Sequence, residues 1–110
     1  MPSVPLERFS WSLAEREGEV VVRMRGDLDL DSEPDAREAI AAAERTAGSR
    51  MVVDLSGLTF MGSCGLRILL EAADRAKSRG GRELLIIPGA AADTVLELTD
   101  VADRFQYRPD

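Results

Sequence analysis

The sequence has no histidine and a single cysteine, Cys64, among its 110 residues. Without an imidazole the chain has no Ser-His-Asp or Cys-His catalytic group. One thiol forms neither an internal disulfide nor, by itself, a thiolate zinc site. The sequence also has no pair of carboxylates, placed where a loop leads into a helix, that could act as general acid and base. We therefore expect no independent catalysis, no metal and no cofactor.

Aromatic and basic residues are also scarce. Aromatics make up 5% of the chain, so the core must be built from aliphatic side chains. Acidic residues outnumber basic ones by 20 to 14, and the resulting net charge of -6 disfavours direct contact with nucleic acid or an anionic membrane. No apolar stretch reaches the length of a membrane span, and the N-terminus carries no signal-peptide pattern, which predicts a cytoplasmic protein.

The remaining composition is typical of one globular domain, with 45% hydrophobic and 31% charged residues. We expect a single domain over residues 1–110, in which residues 1–8 form a flexible lead-in that contains Pro2 and Pro5. We also expect a monomer or a weak dimer.

Period-two alternation and short apolar runs predict the strands. Residues 9–14 alternate between apolar and small or polar side chains, and a second β-rich run follows over 20–24, which predicts an antiparallel hairpin. The apolar runs at 51–55 and 84–87 are too short for helices and predict buried strands. A last short strand is expected at 105–107.

Apolar residues at helical spacing predict helices over 36–47 and 66–76, and a short third helix from about Ala91. The alternation of strands and helices predicts an α/β fold. We expect a mixed, mainly parallel sheet with an antiparallel N-terminal hairpin and helices packed against it. Partners and ligands are expected at three connecting loops, over residues 26–32, 58–65 and 88–93.

The most informative segment runs from Asp54 to Leu66, where a buried strand leads through a loop into a helix that opens at Ser63. The first turn of a helix has unpaired N–H groups and the positive end of the helix dipole. Both would stabilise a phosphate on the Ser63 hydroxyl. Gly62 and Gly65 keep side chains away, so that another protein can approach closely.

This segment resembles the signature of the STAS family, the anti-sigma factor antagonists. There, Asp-Ser-Ser/Thr-Gly-Leu follows a strand and an apolar Phe/Met pair. Here Phe60-Met61 precedes Gly62-Ser63-Cys64-Gly65-Leu66. The similarity extends to residues 26–29, 80–81 and 96–101. The resemblance implies a STAS-like fold, and it identifies Ser63 with the serine that a kinase-type anti-sigma factor phosphorylates in that family.

The resemblance also implies a partner, a histidine-kinase-like serine kinase that doubles as an anti-sigma factor. The unmodified domain would bind this partner and release the sigma factor, and phosphorylation of Ser63 would end the contact. The partner-binding residues expected on this basis are Asp27, Asp29, Met61, Gly62, Ser63, Cys64 and Arg67.

Two departures from the family pattern keep other hypotheses open. Gly62 replaces the family's Asp, and Cys64 replaces its second Ser or Thr. If the lost carboxylate has disabled phosphorylation, the domain would be a constitutive antagonist or a scaffold module. A STAS domain that binds a small ligand such as a nucleotide is a further hypothesis.

Simpler interpretations exist for three features of this region. Ser63 could be a plain helix cap. Cys64 could be a space-filling residue or a redox-sensitive thiol at a helix start. Asp27, Asp29 and Asp31 are spaced like the first ligands of a calcium loop, but Ser32 stands where the sharp turn of such a loop needs glycine. We therefore expect a solvated or partner-contacting loop there.

Overall fold

After an initial hairpin, the chain alternates between helices and strands. The computed structural model describes residues 8–46, 48–79 and 81–109. The lead-in expected over residues 1–8 lies outside this part of the chain except for Arg8. The elements, in chain order, are β1 (Ser10–Arg16), β2 (Glu19–Leu28), α1 (Glu33–Arg45), β3 (Arg50–Met61), α2 (Ser63–Ser78), β4 (Glu83–Ile87), α3 (Gly89–Thr99), a 3₁₀ turn (Ala102–Arg104) and β5 (Gln106–Tyr107).

Within the described residues the strands form one five-stranded sheet in the order β1-β2-β3-β4-β5. β1 pairs with β2 in antiparallel fashion, and the other three pairings are parallel. This confirms the predicted mixed, mainly parallel sheet with an antiparallel start. No helix in the described ranges is long and apolar enough to cross a membrane.

The core lies between the helices and one face of the sheet. Alternate residues of the three central strands point into it, for example Val22 of β2, Val53 of β3 and Ile86 of β4. Ile40 of α1 and Leu69 of α2 pack onto them, and each of these five side chains is almost completely buried. The predicted aliphatic core is confirmed, and the sheet carries the helix starts on its C-terminal edge.

All three predicted loops are partly wrong: α3 already begins at Gly89, which leaves Pro88 alone of the loop over 88–93, and β2 and β3 are longer than their apolar runs. β2 continues to Leu28 and β3 to Met61, and the two ends pair with each other. Irregularities in the register let the ladder continue past Gly57. A Cβ atom at Gly57 would lie 2.8 Å from Cγ of Arg25, so glycine allows this close approach. The connection between β3 and α2 is therefore Gly62 alone.

Candidate functional site

Ser63 is the first residue of α2 and lies on the surface. The preceding Gly62 is the helix N-cap, and its N–H donates a 2.8 Å hydrogen bond to the carbonyl oxygen of Leu28. No side-chain hydrogen bond in the described part of the chain involves Ser63. Its hydroxyl is therefore not a side-chain cap for α2, and it is presented to solvent from the end of a paired strand.

Glycine at position 65 lets the first turn of α2 sit directly on the core. A Cβ atom there would lie 2.8 Å from Cδ2 of Leu28 and 3.0 Å from Cγ of Met61, so any side chain would force these buried neighbours to shift. Glycine therefore allows the start of α2, and Ser63 with it, to pack closely onto the ends of β2 and β3.

Two of the expected partner-binding residues have buried side chains. Met61 and Cys64 are each 3% exposed and belong to the floor of the site. Burial, with the nearby charge of Glu33, raises the pKa of the Cys64 thiol. A thiol of this kind stays protonated at neutral pH, which favours the space-filling interpretation of Cys64 over the redox one.

The loop between β2 and α1 is held by its own side chains. The Asp29 N–H donates to Oγ of Ser32 at 2.9 Å, and the Ser32 N–H donates to Oδ1 of Asp29 at 3.1 Å. The Ser32 hydroxyl donates in turn to the carbonyl oxygen of Asp27. Asp27 lies in β2, so the Ser32 bond fixes the loop to the sheet, and Thr59 of β3 donates a further 2.6 Å hydrogen bond to Oδ1 of Asp27.

These bonds occupy the carboxylates of Asp27 and Asp29 that the calcium hypothesis used. Within residues 8–46, 48–79 and 81–109, no three side chains of the metal-binding types are grouped so that they could hold a metal ion. The loop instead forms one wall of a surface groove next to Ser63.

An open groove of about 620 Å³ runs along this loop and the start of α2. We call it the Ser63 groove; its lining residues are Asp29, Leu30, Asp31, Phe60, Gly62, Ser63, Cys64 and Arg67. Leu30 is 74% exposed and Phe60 is 52% exposed, so two large apolar side chains face solvent beside Ser63. Exposed apolar side chains grouped beside polar ones are typical of a protein-binding surface.

Leu30 and Phe60 are not among the partner-binding residues that the family resemblance implies. The family motif presents Phe60 and Met61 as one apolar pair, but successive residues of a strand point to opposite sides. Because β3 extends to Met61, both residues lie in the strand. Met61 therefore points into the core and Phe60 points out. The period-two rule identifies Phe60 once the strand is extended that far.

The backbone of Gly62 does not require glycine. Its φ of -86° and ψ of 176° are extended values that any residue adopts. A Cβ atom there would lie 3.5 Å from Cε2 of Phe60, which is an ordinary contact distance. The absence of a carboxylate beside Ser63 is therefore a feature of this sequence and not a demand of the fold.

Comparison with known proteins gives a family match and named relatives. The model of the STAS domain matches residues 10–110. The anti-sigma-F factor antagonist RsfA of Mycobacterium tuberculosis is 30% identical over 92 residues, which cover 82% of this chain and 72% of RsfA. RsfB of the same organism, also an anti-sigma-F factor antagonist, is 31% identical over 64 residues, or 58% of this chain and 52% of RsfB.

Solved structures share the fold. The crystal structure of an anti-sigma factor antagonist from Mycobacterium paratuberculosis superposes with a TM-score of 0.83 at 26% identity, and covers 94% of this chain and 87% of that one. SpoIIAA in its unphosphorylated form gives a TM-score of 0.71 at 17% identity, with 92% of this chain and 90% of that one covered. SpoIIAA is similar to this chain in fold alone.

Proposed function

This chain belongs to the STAS domain family, and we propose that it acts as an anti-sigma factor antagonist controlled by phosphorylation. In the unmodified form it binds an anti-sigma factor that is also a serine kinase, and the sigma factor is released. Phosphorylation of Ser63 ends this contact. The names of the mycobacterial relatives support the antagonist function, and RsfA is similar over most of the chain.

The observation that carries the proposal is the exposed hydroxyl of Ser63 on the first turn of α2. A kinase active site must reach the acceptor oxygen directly, and this oxygen has no partner among the described residues. Leu30 and Phe60 supply apolar area beside it. A partner that covers the Ser63 groove therefore also covers the acceptor oxygen.

The proposed contact surface consists of the exposed part of the Ser63 groove together with Asp27 at the end of β2. The side chains of Met61 and Cys64 are left out of it, because they are buried and act on the surface only by supporting it. Asp29, Gly62, Ser63 and Arg67 stay in the proposal, and Leu30 and Phe60 join them.

Phosphorylation would act on this surface by charge and by bulk. A phosphoserine carries about two negative charges at neutral pH. The groove already contains Asp29 and Asp31, so a partner that fits the unmodified groove would meet a more negative and more crowded surface. Since a few central residues dominate most interfaces, we expect one phosphate there to weaken binding roughly tenfold or more.

The experiment is incubation of the chain with its anti-sigma factor and ATP, followed by intact mass measurement. The proposal predicts a gain of one phosphate by the parent and none by Ser63→Ala. A gain of phosphate by Ser63→Ala, or a parent that binds the partner without ever being modified, contradicts the phosphorylation part of the proposal.

A second candidate function follows from Gly62, which stands where the family motif has a carboxylate. In this alternative the domain binds its partner but is no longer a kinase substrate, and acts as a constitutive antagonist or a scaffold. The same mass measurement separates the two, because the alternative predicts a stable complex with unmodified Ser63 after long incubation with ATP.

A further inference from the structure

Ser63 and Arg67 lie one helical turn apart on the same face of α2. Residues four apart on a helix have Cβ atoms about 5–6 Å from each other. Both residues are exposed, and both line the Ser63 groove. An arginine side chain is long enough to bring its guanidinium group to a phosphate on the hydroxyl one turn before it.

Arg67 differs from its neighbours because no ion pair within the described ranges engages it. Three other arginines of α1 and α2 are held by glutamates: Arg37 by Glu71, Arg45 by Glu38 and Arg75 by Glu44. The glutamate one turn after Arg67 is the Glu71 that Arg37 holds at 2.8 Å. The guanidinium group of Arg67 is therefore free to bind a new anion.

The charges around the groove favour Arg67 as the group that meets a phosphate on Ser63. Arg67 is the one basic residue among the described residues that line the groove, and Asp29 and Asp31 line it from the β2–α1 loop. The first turn of α2 contains no acidic side chain. The aspartates repel a phosphate, and the helix amides and Arg67 attract it. A phosphate on Ser63 is therefore attracted to the α2 side of the groove, where Arg67 lies.

We infer that Arg67 binds the phosphate of phosphorylated Ser63 within the same molecule, as a latch that holds the modified state. This inference rests on the proposed function, since it concerns the phosphorylated form of Ser63. A guanidinium group that faces a phosphate makes up to two parallel hydrogen bonds. Phosphorylation then has two effects on the groove: it adds charge at Ser63 and it takes Arg67 away from the partner.

The test uses protein in which phosphoserine is incorporated genetically at position 63, so that no kinase is needed. Phosphorus NMR follows the second ionisation of the phosphate in the parent and in Arg67→Gln. A bound guanidinium favours the doubly charged phosphate, so its pKa is expected to be higher in Arg67→Gln than in the parent, by roughly 0.2 to 0.7 units.

Two variants serve as controls. Lys77→Gln removes one positive charge from an exposed site on the same helix, about 21 Å from Ser63 along the axis. At physiological salt this distance exceeds two Debye lengths, so Lys77→Gln is expected to titrate like the parent. Arg67→Lys keeps the positive charge but loses the planar guanidinium group that makes two parallel hydrogen bonds. Its phosphate pKa is expected to fall between those of the parent and Arg67→Gln. The latch is overturned if Arg67→Gln titrates like the parent, or if Lys77→Gln shifts the phosphate equally.

The outcome is independent of the kinase experiment. If the anti-sigma factor never phosphorylates Ser63 but Arg67→Gln shifts the titration, the latch geometry stands and the proposed regulation fails. If the kinase modifies Ser63 but the two titrations coincide, the proposed function stands and the latch is wrong.

Discussion

The N–H of Gly62 donates a 2.8 Å hydrogen bond to the carbonyl oxygen of Leu28, at the point where β2 and β3 both end. This bond fixes the single residue between β3 and α2 to the neighbouring strand. Ser63 follows immediately, so its position is set by two paired strands and a helix and not by a long loop. A phosphate on Ser63 would therefore change the surface of a rigid corner, and the fold beneath it would stay the same.

Restoring the missing carboxylate should make Ser63 a better kinase substrate. In Gly62→Asp the new side chain needs no change of backbone, because φ and ψ at this position are extended and the nearest atom to its Cβ lies 3.5 Å away. An adjacent carboxylate can accept the hydroxyl hydrogen and orient the oxygen for attack. We expect the initial rate of phosphorylation, measured by intact mass, to rise about tenfold or more. Gly62→Asn is the uncharged control, and equal rates for the two variants would contradict this role.

Alanine should lower stability at only one of the two glycines that flank Ser63 and Cys64. Gly65→Ala places a methyl group 2.8 Å from Leu28, and the resulting overpacking is expected to lower the free energy of unfolding by about 1–3 kcal/mol. Gly62→Ala has space and permitted angles, so its melting temperature should match that of the parent. Thermal unfolding by circular dichroism measures both. Equal stability of the two variants would contradict the close packing of Leu28 against Gly65.

Adjacent residues at the end of β3 should separate binding from stability. Phe60→Ser removes an exposed apolar side chain, and is expected to weaken binding to the anti-sigma factor without changing the unfolding midpoint by much. Met61→Ala removes a buried one, and is expected to cost about 2–5 kcal/mol of stability. For both variants, calorimetric titration with the anti-sigma factor measures the affinity, and urea unfolding measures the free energy of unfolding. The proposed surface is wrong if Phe60→Ser binds the partner as tightly as the parent.

Asp54 gives the fold a specific dependence on acid. Burial by itself would raise the pKa of its carboxyl, but hydrogen bonds from the hydroxyl and N–H of Ser56 and from Arg23 more than offset this, so the pKa lies below its ordinary value. The unfolded chain then takes up the proton first. The stabilisation is complete above the unfolded pKa, at about 4, and is lost as the pH falls through the lower folded value.

Substitution of Asp54 tests whether this carboxylate causes part of the loss of stability at low pH, which we call the acid limb of the stability curve. Asp54→Asn should be less stable than the parent at neutral pH and should lose less stability than the parent below about pH 4, as measured by urea unfolding at a series of pH values. Asp93→Asn removes one exposed carboxylate and is the matched control. An unchanged acid limb in Asp54→Asn would mean that the ion pair with Arg23 and the bonds from Ser56 contribute nothing to stability.

The order of elements could be predicted from the sequence because the central strands and the helices have clear apolar periodicity. The ends of β2 and β3 could not. Ser56 and Gly57 are typical of a turn, yet the backbone continues through them because it pairs with β2 across an irregularity in the register. Long-range pairing of this kind overrides a local preference and leaves little trace in the sequence.

The same limit explains what was missed at the site. The motif places Ser63 at the start of α2, and the structure has it there. Which neighbours face solvent depends on the direction of each side chain, and that direction is undefined for a segment taken to be a loop. The sequence therefore does not predict the exposure of Leu30 and Phe60 or the burial of Met61, whereas the burial of Cys64 agrees with its space-filling interpretation.

The central claim is that the anti-sigma factor binds the unmodified Ser63 groove and is released by a phosphate there. Calorimetric titration of the anti-sigma factor with three forms of the chain tests this most directly: the parent, phosphoserine at 63, and phosphoserine at the exposed Ser78 at the other end of α2. We predict that the parent and the Ser78-modified form bind alike, and that the Ser63-modified form binds roughly tenfold more weakly or worse. Equal affinity of the Ser63-modified form and the parent would contradict the account.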